Sequence, residues 1–158
     1  MRTLIGKLAC VASLCLLIPT TSARAEKVKV DQLPKVVLDA VKTKFPDCKL
    51  TEAARETEGG ETFYELSFTY KDHRYDVECT PQGAFRKIEK QLAAKELPKE
   101  VAKILEEKYP RARLNEILEV TKKDKIEYYE VALVTAEKSE VEVQIDPKGK
   151  ILKEEKKD

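Results

Sequence analysis

The 158-residue sequence has no tryptophan, a single histidine and only 6% aromatic residues. One histidine cannot complete a zinc set of the usual kind. His73 stands beside a polar turn, Lys71-Asp72, where a solvated residue is a plainer assignment than a catalytic base. A glycine-rich phosphate loop and a G-x-S-x-G nucleophile elbow are both missing. So is an excess of one charge. Lys and Arg total 30 against 29 Asp and Glu, a formal net charge of +1, and the signs alternate without forming a basic stripe for phosphates. The many carboxylates interleave with lysine, the pattern of a solvated face. These absences point away from an enzyme, a nucleic-acid binder, and a metal or organic cofactor. Apolar residues make up 42%, too many for a disordered chain.

Long apolar runs are scarce as well. The one candidate, Leu8 to Ile18, falls short of the ~20 residues a membrane-spanning helix needs. Arg2 and Lys7 precede or flank it, Pro19 ends it, and small polar residues lead to Ala23-Arg24-Ala25. A positive start, an apolar centre and an A-x-A ending describe a secretory signal peptide over residues 1–25. A lipid anchor at Cys15 fits less well, because Leu14 stands where a small residue belongs. Cleavage after Ala25 removes Arg2, Lys7 and Arg24, leaving 27 of the 30 basic residues against 29 acidic ones. Cys10 and Cys15 leave too. The expected location is the periplasm or the cell exterior, with no membrane contact after cleavage.

The mature chain is written twice. Leu33-Pro34-Lys35 recurs as Leu97-Pro98-Lys99, and Phe45-Pro46 as Tyr109-Pro110, both at an offset of 64. Tyr64-Glu65-Leu66 matches Tyr129-Glu130-Val131 at 65, and Pro81-Gln82-Gly83 matches Pro147-Lys148-Gly149 at 66. Two single-residue insertions in loops account for the drift. The units span 26–91 and 92–158.

Each unit opens with a helical stripe. Leu33, Val36, Val37, Ala40, Val41 and Phe45 fall on one face, with Asp31 as the expected N-cap and Pro46 as the stop. Leu97, Val101, Ile104, Leu105 and Tyr109 repeat the stripe before Pro110. The period then changes to two. Tyr64, Leu66, Phe68 and Tyr70 alternate with Glu65, Ser67 and Thr69, and Tyr75, Val77 and Cys79 follow suit. Tyr129, Val131, Leu133, then Val141, Val143 and Ile145 answer in the second unit. Such alternation marks strands with one buried face. The expected class is therefore α+β, two tandem repeats, each a helix packed on a four-stranded antiparallel meander. Docking of the two units is expected, since ~64 residues make only a modest core. The charged tail Lys153 to Asp158 is expected to fray.

At this point the residues resemble a known family. A Leu-Pro opening, an aromatic-Pro helix stop, Tyr-Glu-aliphatic, and alternating aliphatics ending in Asp146-Pro147-Lys148-Gly149-Lys150-Ile151 are similar to the PepSY-like family. That family is related to the repeat of the β-lactamase-inhibitor protein. Thr80-Pro81-Gln82-Gly83-Ala84-Phe85 fits with Thr in place of Asp. The resemblance covers Lys29 to Glu155 and implies an exported, non-enzymatic module with a helix on one sheet face. It also implies an extracytoplasmic protein partner, with peptidase or hydrolase inhibition as the alternative role. Inhibitor-protein relatives grip an enzyme with their exposed concave sheet.

Two sets of residues follow as candidate sites. Cys48 and Cys79 form an expected disulfide between the helix end and a strand, since Cys79 occupies the position of buried Ile145; two buried free thiols are the alternative. If Tyr64, Leu66 and Phe68 face the helix, Phe63 and Glu65 face away, as do Tyr128 and Glu130 in the second unit. Phe63 and Tyr128 then serve as aromatic binding anchors flanked by Glu65 and Glu130, or cover an interface between the two units. Oligomeric state is left open by the sequence.

Overall fold

Helix α1 runs over Lys35–Lys44 and helix α2 over Lys99–Lys108 in the computed structural model, which describes residues 26–157. The signal-peptide assignment lies outside the described residues. Each helix starts behind a proline. Pro34 and Pro98 lack an N–H that a first turn could not use, and their carbonyls accept from Leu38 and Ala102. Asp31 is not the N-cap. It sits in a short 3-10 turn, Val30–Gln32, and extended Leu33 and Pro34 separate it from the helix. Each helix ends at an aromatic residue, Phe45 or Tyr109, before the prolines that follow. The backbone then turns through left-handed Asp47 and Arg111, both at φ 62°.

The strands are β1 (Glu26–Lys27), β2 (Lys49–Glu58), β3 (Glu61–Tyr70), β4 (His73–Cys79), β5 (Phe85–Gln91), β6 (Arg113–Lys122), β7 (Lys125–Val134), β8 (Glu140–Ile145) and β9 (Ile151–Lys157). They form one antiparallel sheet in chain order, β1 through β9. This corrects the expected class: the molecule is not two separate helix-on-four-strand units but a single nine-stranded sheet carrying two helices. The seam is a backbone ladder, with Ile88 opposite Thr121, Glu89 opposite Val120, Lys90 opposite Glu119 and Gln91 opposite Leu118. Alternation assigns faces and is silent about edges. An unpaired edge of β5 beside an unpaired edge of β6 leaves both rows of N–H and C=O groups wanting partners, and pairing supplies them. His73 ties β4 to the end of β5 and to the linker beyond it, with Nδ1 3.0 Å from the Gln91 carbonyl and Nε2 3.3 Å from Glu96. The tail also departs from expectation. Instead of fraying it forms β9, with Lys157 opposite Glu140.

Both helices cover the same sheet face. Nine strands at ~4.8 Å spacing make a sheet far wider than one ten-residue helix of ~15 Å can cover, so two apolar clusters form side by side. Val37 and Val41 sit over Leu66, Phe68, Val77 and Cys79, while Val101 and Leu105 sit over Val131, Leu133, Val143 and Ile145. Gly83 and Gly149 let the turns before β5 and β9 approach the helices. A Cβ on either would stand 2.9 Å from a helix carbonyl, that of Val36 or Glu100.

The register also overturns the expected disulfide. Cys48 and Cys79 are free thiols. Lys49, next to Cys48, lies opposite Thr69, whereas Cys79 lies opposite Tyr64. Those positions are five residues apart along β3, ~17 Å, and a disulfide needs Cα atoms within ~7 Å. Both thiols belong to the α1 cluster but at its opposite ends.

Candidate binding face

With both helices on one side, no described element covers the other face of the sheet. Its surface can be assembled row by row from the register. Glu65 stands opposite Glu78, and Glu78 opposite Lys87. In the next row Ser67, Asp76, Glu89, Val120 and Tyr128 follow one another across five strands. Beyond it come Leu118, Glu130, Gln144 and Lys153.

These side chains order one another. Lys87 Nζ bridges Glu78 at 2.7 Å and Glu89 at 3.2 Å. Burial alone would lower the Lys87 ammonium, but the hydrogen bond to Glu78 and the charge of Glu89 hold it above its ordinary value. Burial pushes the Glu89 carboxyl up, outweighing its bond to Lys87. Ser67 Oγ donates to Asp76, whose carboxylate also meets Arg74 Nε at 3.2 Å. Gln144 Nε2 donates to Glu130 at 2.8 Å. Glu65 is raised by burial first, then by the nearby charges of Glu56 and Asp76. Together with Ser67, Asp76 and Glu89 it lines a shallow groove of about 280 Å³.

The four residues expected to bind are all on this face, but not as one patch. Phe63 is only 4% exposed, because the Arg86 guanidinium stacks over its ring with Cζ 4.4 Å from the centroid. Tyr128 is half-buried, with Lys122 Nζ 5.4 Å from its ring centre, and burial pushes its phenol up. Phe63 is on β3 and Tyr128 on β7, four strand spacings or ~19 Å apart. Glu65 and Glu130 are divided in the same way. None of them fills an interface between two separate sheets, since the sheet is continuous.

Arg86 and Lys87 were not singled out from the sequence. Lys87 was legible, being one residue out of phase with buried Ile88. Arg86 was not. It is the extra residue of a bulge, because Glu78 pairs with Lys87 while Cys79 pairs with Phe85, and only tertiary pairing creates that irregularity. One Arg86 nitrogen, Nη1, is buried with no hydrogen-bond partner. Among the described residues no group of His, Cys, Asp and Glu side chains is arranged to hold a metal ion.

The comparisons agree with this architecture. The sequence profile of a family described as beta-lactamase-inhibitor-like, PepSY-like matches twice, over residues 19–87 and 62–153. Among solved structures, a protein of Bacteroides eggerthii assigned to the periplasm is similar with a TM-score of 0.67 and 14% identity. The match covers 78% of this chain and 88% of that one. A DUF2874 family protein from Bacteroides uniformis gives 0.66 and 15%, with coverage of 78% and 88%. A BLIP-like protein from Bacteroides fragilis gives 0.62 and 16%, with 77% and 84%. At these identities the likeness is one of fold. No curated protein matches the chain.

Proposed function

The chain belongs to the PepSY-like family, and from that premise we propose that it is an exported, non-enzymatic module that binds a protein partner through the helix-free face of its sheet. It acts in the periplasm or outside the cell; the similar B. eggerthii protein is described as periplasmic. The observation that carries the proposal is the placement of both helices on one face of a nine-stranded sheet. The other face then presents ordered, half-buried charges and one accessible aromatic. Pre-ordered side chains lose little freedom on binding, which favours affinity over a floppy polar surface. The contact centres on Tyr128, Glu65 and Glu130, with Phe63 as the platform that orients Arg86.

A direct test is capture from an extracytoplasmic extract by the chain from Glu26 onward, beside two variants of confirmed fold. Tyr128→Ala/Glu65→Lys alters the helix-free face, and Lys103→Glu alters the exposed side of α2. A partner lost by the first variant and kept by the second supports the proposal. Equal capture by both sinks it. The beta-lactamase-inhibitor-like description of the family favours a second reading, inhibition of an extracytoplasmic hydrolase. An inhibitor suppresses the captured enzyme stoichiometrically, whereas a scaffold leaves turnover unchanged.

A further inference from the structure

The two halves of the chain differ most at the far end of each helix, on the helix side of the sheet. In the first half that corner is filled by five rings, Phe45, Phe68, Tyr70, Tyr75 and Phe85, with Phe45 centred 4.9–6.2 Å from the other four. Their counterparts in the second half are Tyr109, Leu133, Thr135, Val141 and Ile151. Four rings have become aliphatic or hydroxyl side chains. Beside two of the smaller replacements, Thr135 and Val141, lies a cavity of about 520 Å³, bounded by the end of α2, the β7–β8 loop and β9.

Its walls also carry different charges from the first half. Asp47 is replaced by Arg111 at the same left-handed backbone position, and buried Ile88 by Glu154. Thr135 and Ser139 supply hydroxyls, and Lys156 a second cation. The Tyr109 hydroxyl is buried, in a residue only 9% exposed, and has no hydrogen-bond partner. The Lys108–Glu154 ion pair sits beside it, close enough to perturb the phenol, which burial raises first. Glu154 is thus already engaged. Among the described residues neither Arg111 nor Lys156 has an ion-pair partner. An orphaned buried hydroxyl is costly unless a ligand satisfies it, and the two cations without an ion-pair partner outnumber the one such acid of the lining, Glu137, which favours an acceptor of negative charge. Val141 and the Tyr109 ring give that acceptor an apolar neighbour. Glu154 and Lys156 come from β9, the last strand of the sheet, whose outer edge is unpaired among the described residues. An extended peptide can hydrogen-bond along such an edge.

We propose that this cavity is a second binding site, distinct from the helix-free face, and that it takes the carboxylate and apolar side chain of a peptide's C-terminal residue. Arg111 and Lys156 hold the carboxylate, and the Tyr109 hydroxyl donates to it. The test is a titration of the chain from Glu26 onward with N-acetyl-Ala-Ala-Leu, followed by amide correlation spectra. The same peptide as its C-terminal amide, and hexanoate, serve as comparisons. Saturable shifts are expected at residues 109, 111, 135–139 and 154–156, with the amide bound about tenfold more weakly. Arg111→Ala/Lys156→Ala alters two exposed side chains, so it keeps the fold and loses affinity for the acid by a similar factor. Tyr109→Phe, the residue type found at position 45, weakens binding several-fold. Equal affinity for acid and amide, undiminished affinity in the double variant, or no saturable shift would overturn the site. Hexanoate bound as tightly as the peptide would overturn its assignment to a peptide end.

Discussion

Glu65 is a residue whose environment opposes its charge. Its carboxyl is raised by burial and by neighbouring acids, so the folded state favours the protonated form. The resulting penalty is absent below the ordinary value of 4.5, where the folded and unfolded chains are both protonated, and complete above the raised folded value. Glu65→Gln should therefore stabilise the protein at neutral pH, on the order of 0.5 kcal/mol for a half-exposed group, and be neutral near pH 4. Urea unfolding at the two pH values checks this, and a gain that persists in acid would contradict the assignment. The cysteines make a second case. Burial pushes the Cys79 thiol up to about 12, and Cys48 is raised more modestly, again mainly by burial. A thiol reagent at pH 8 should label Cys48 slowly and Cys79 only in denaturant, and reductant should leave Tm unchanged. The exported pair alone suggested a bond. The register that keeps the thiols apart is a long-range property no spacing could reveal.

At the scale of elements, the helices and turns were the most legible features. Pro34, Pro46, Pro98 and Pro110 bracket the helices because proline's missing N–H and its effect on the preceding residue act locally. The turn glycines carry a tertiary duty besides. Gly149 has φ +85°, and a Cβ there would meet the Glu100 carbonyl at 2.9 Å. Gly59 has φ +59° with open space around it. Gly149→Ala is expected to cost about 2 kcal/mol or more, since it adds a clash against backbone to the conformational penalty. Gly59→Ala should cost about 1 kcal/mol from conformation alone. Chemical denaturation of both variants separates the two effects. Equal losses would mean that the α2–turn contact contributes nothing.

For the whole molecule the decisive feature is the β5–β6 ladder. It joins two apolar clusters into one sheet, so a single cooperative unfolding transition is expected, coincident by far-UV circular dichroism and tyrosine fluorescence. Residues 26–91 expressed alone would leave the edge of β5 unpaired and should self-associate, which size-exclusion chromatography reads directly. A well-behaved monomeric fragment, or two resolved transitions, would show that the seam is not required. Cleavage of the expected signal peptide after Ala25 predicts a protein that begins at Glu26, which intact mass determines.

The repeat, the helix stops at Phe45 and Tyr109, the strand faces and the family resemblance were legible from residue order, because short motifs of period, proline and glycine carry them. Residue order also placed Phe63, Glu65, Tyr128 and Glu130 on the face away from the helices. Long-range packing set the rest: the two meanders merge into one sheet, Arg86 covers Phe63, Cys48 and Cys79 lie far apart, and a cavity opens beside Tyr109 where the first half has an aromatic corner. Edge pairing, bulges and the filling of space depend on residues distant in sequence. A side-chain period of two or 3.6 fixes which way a residue faces and leaves open what it meets.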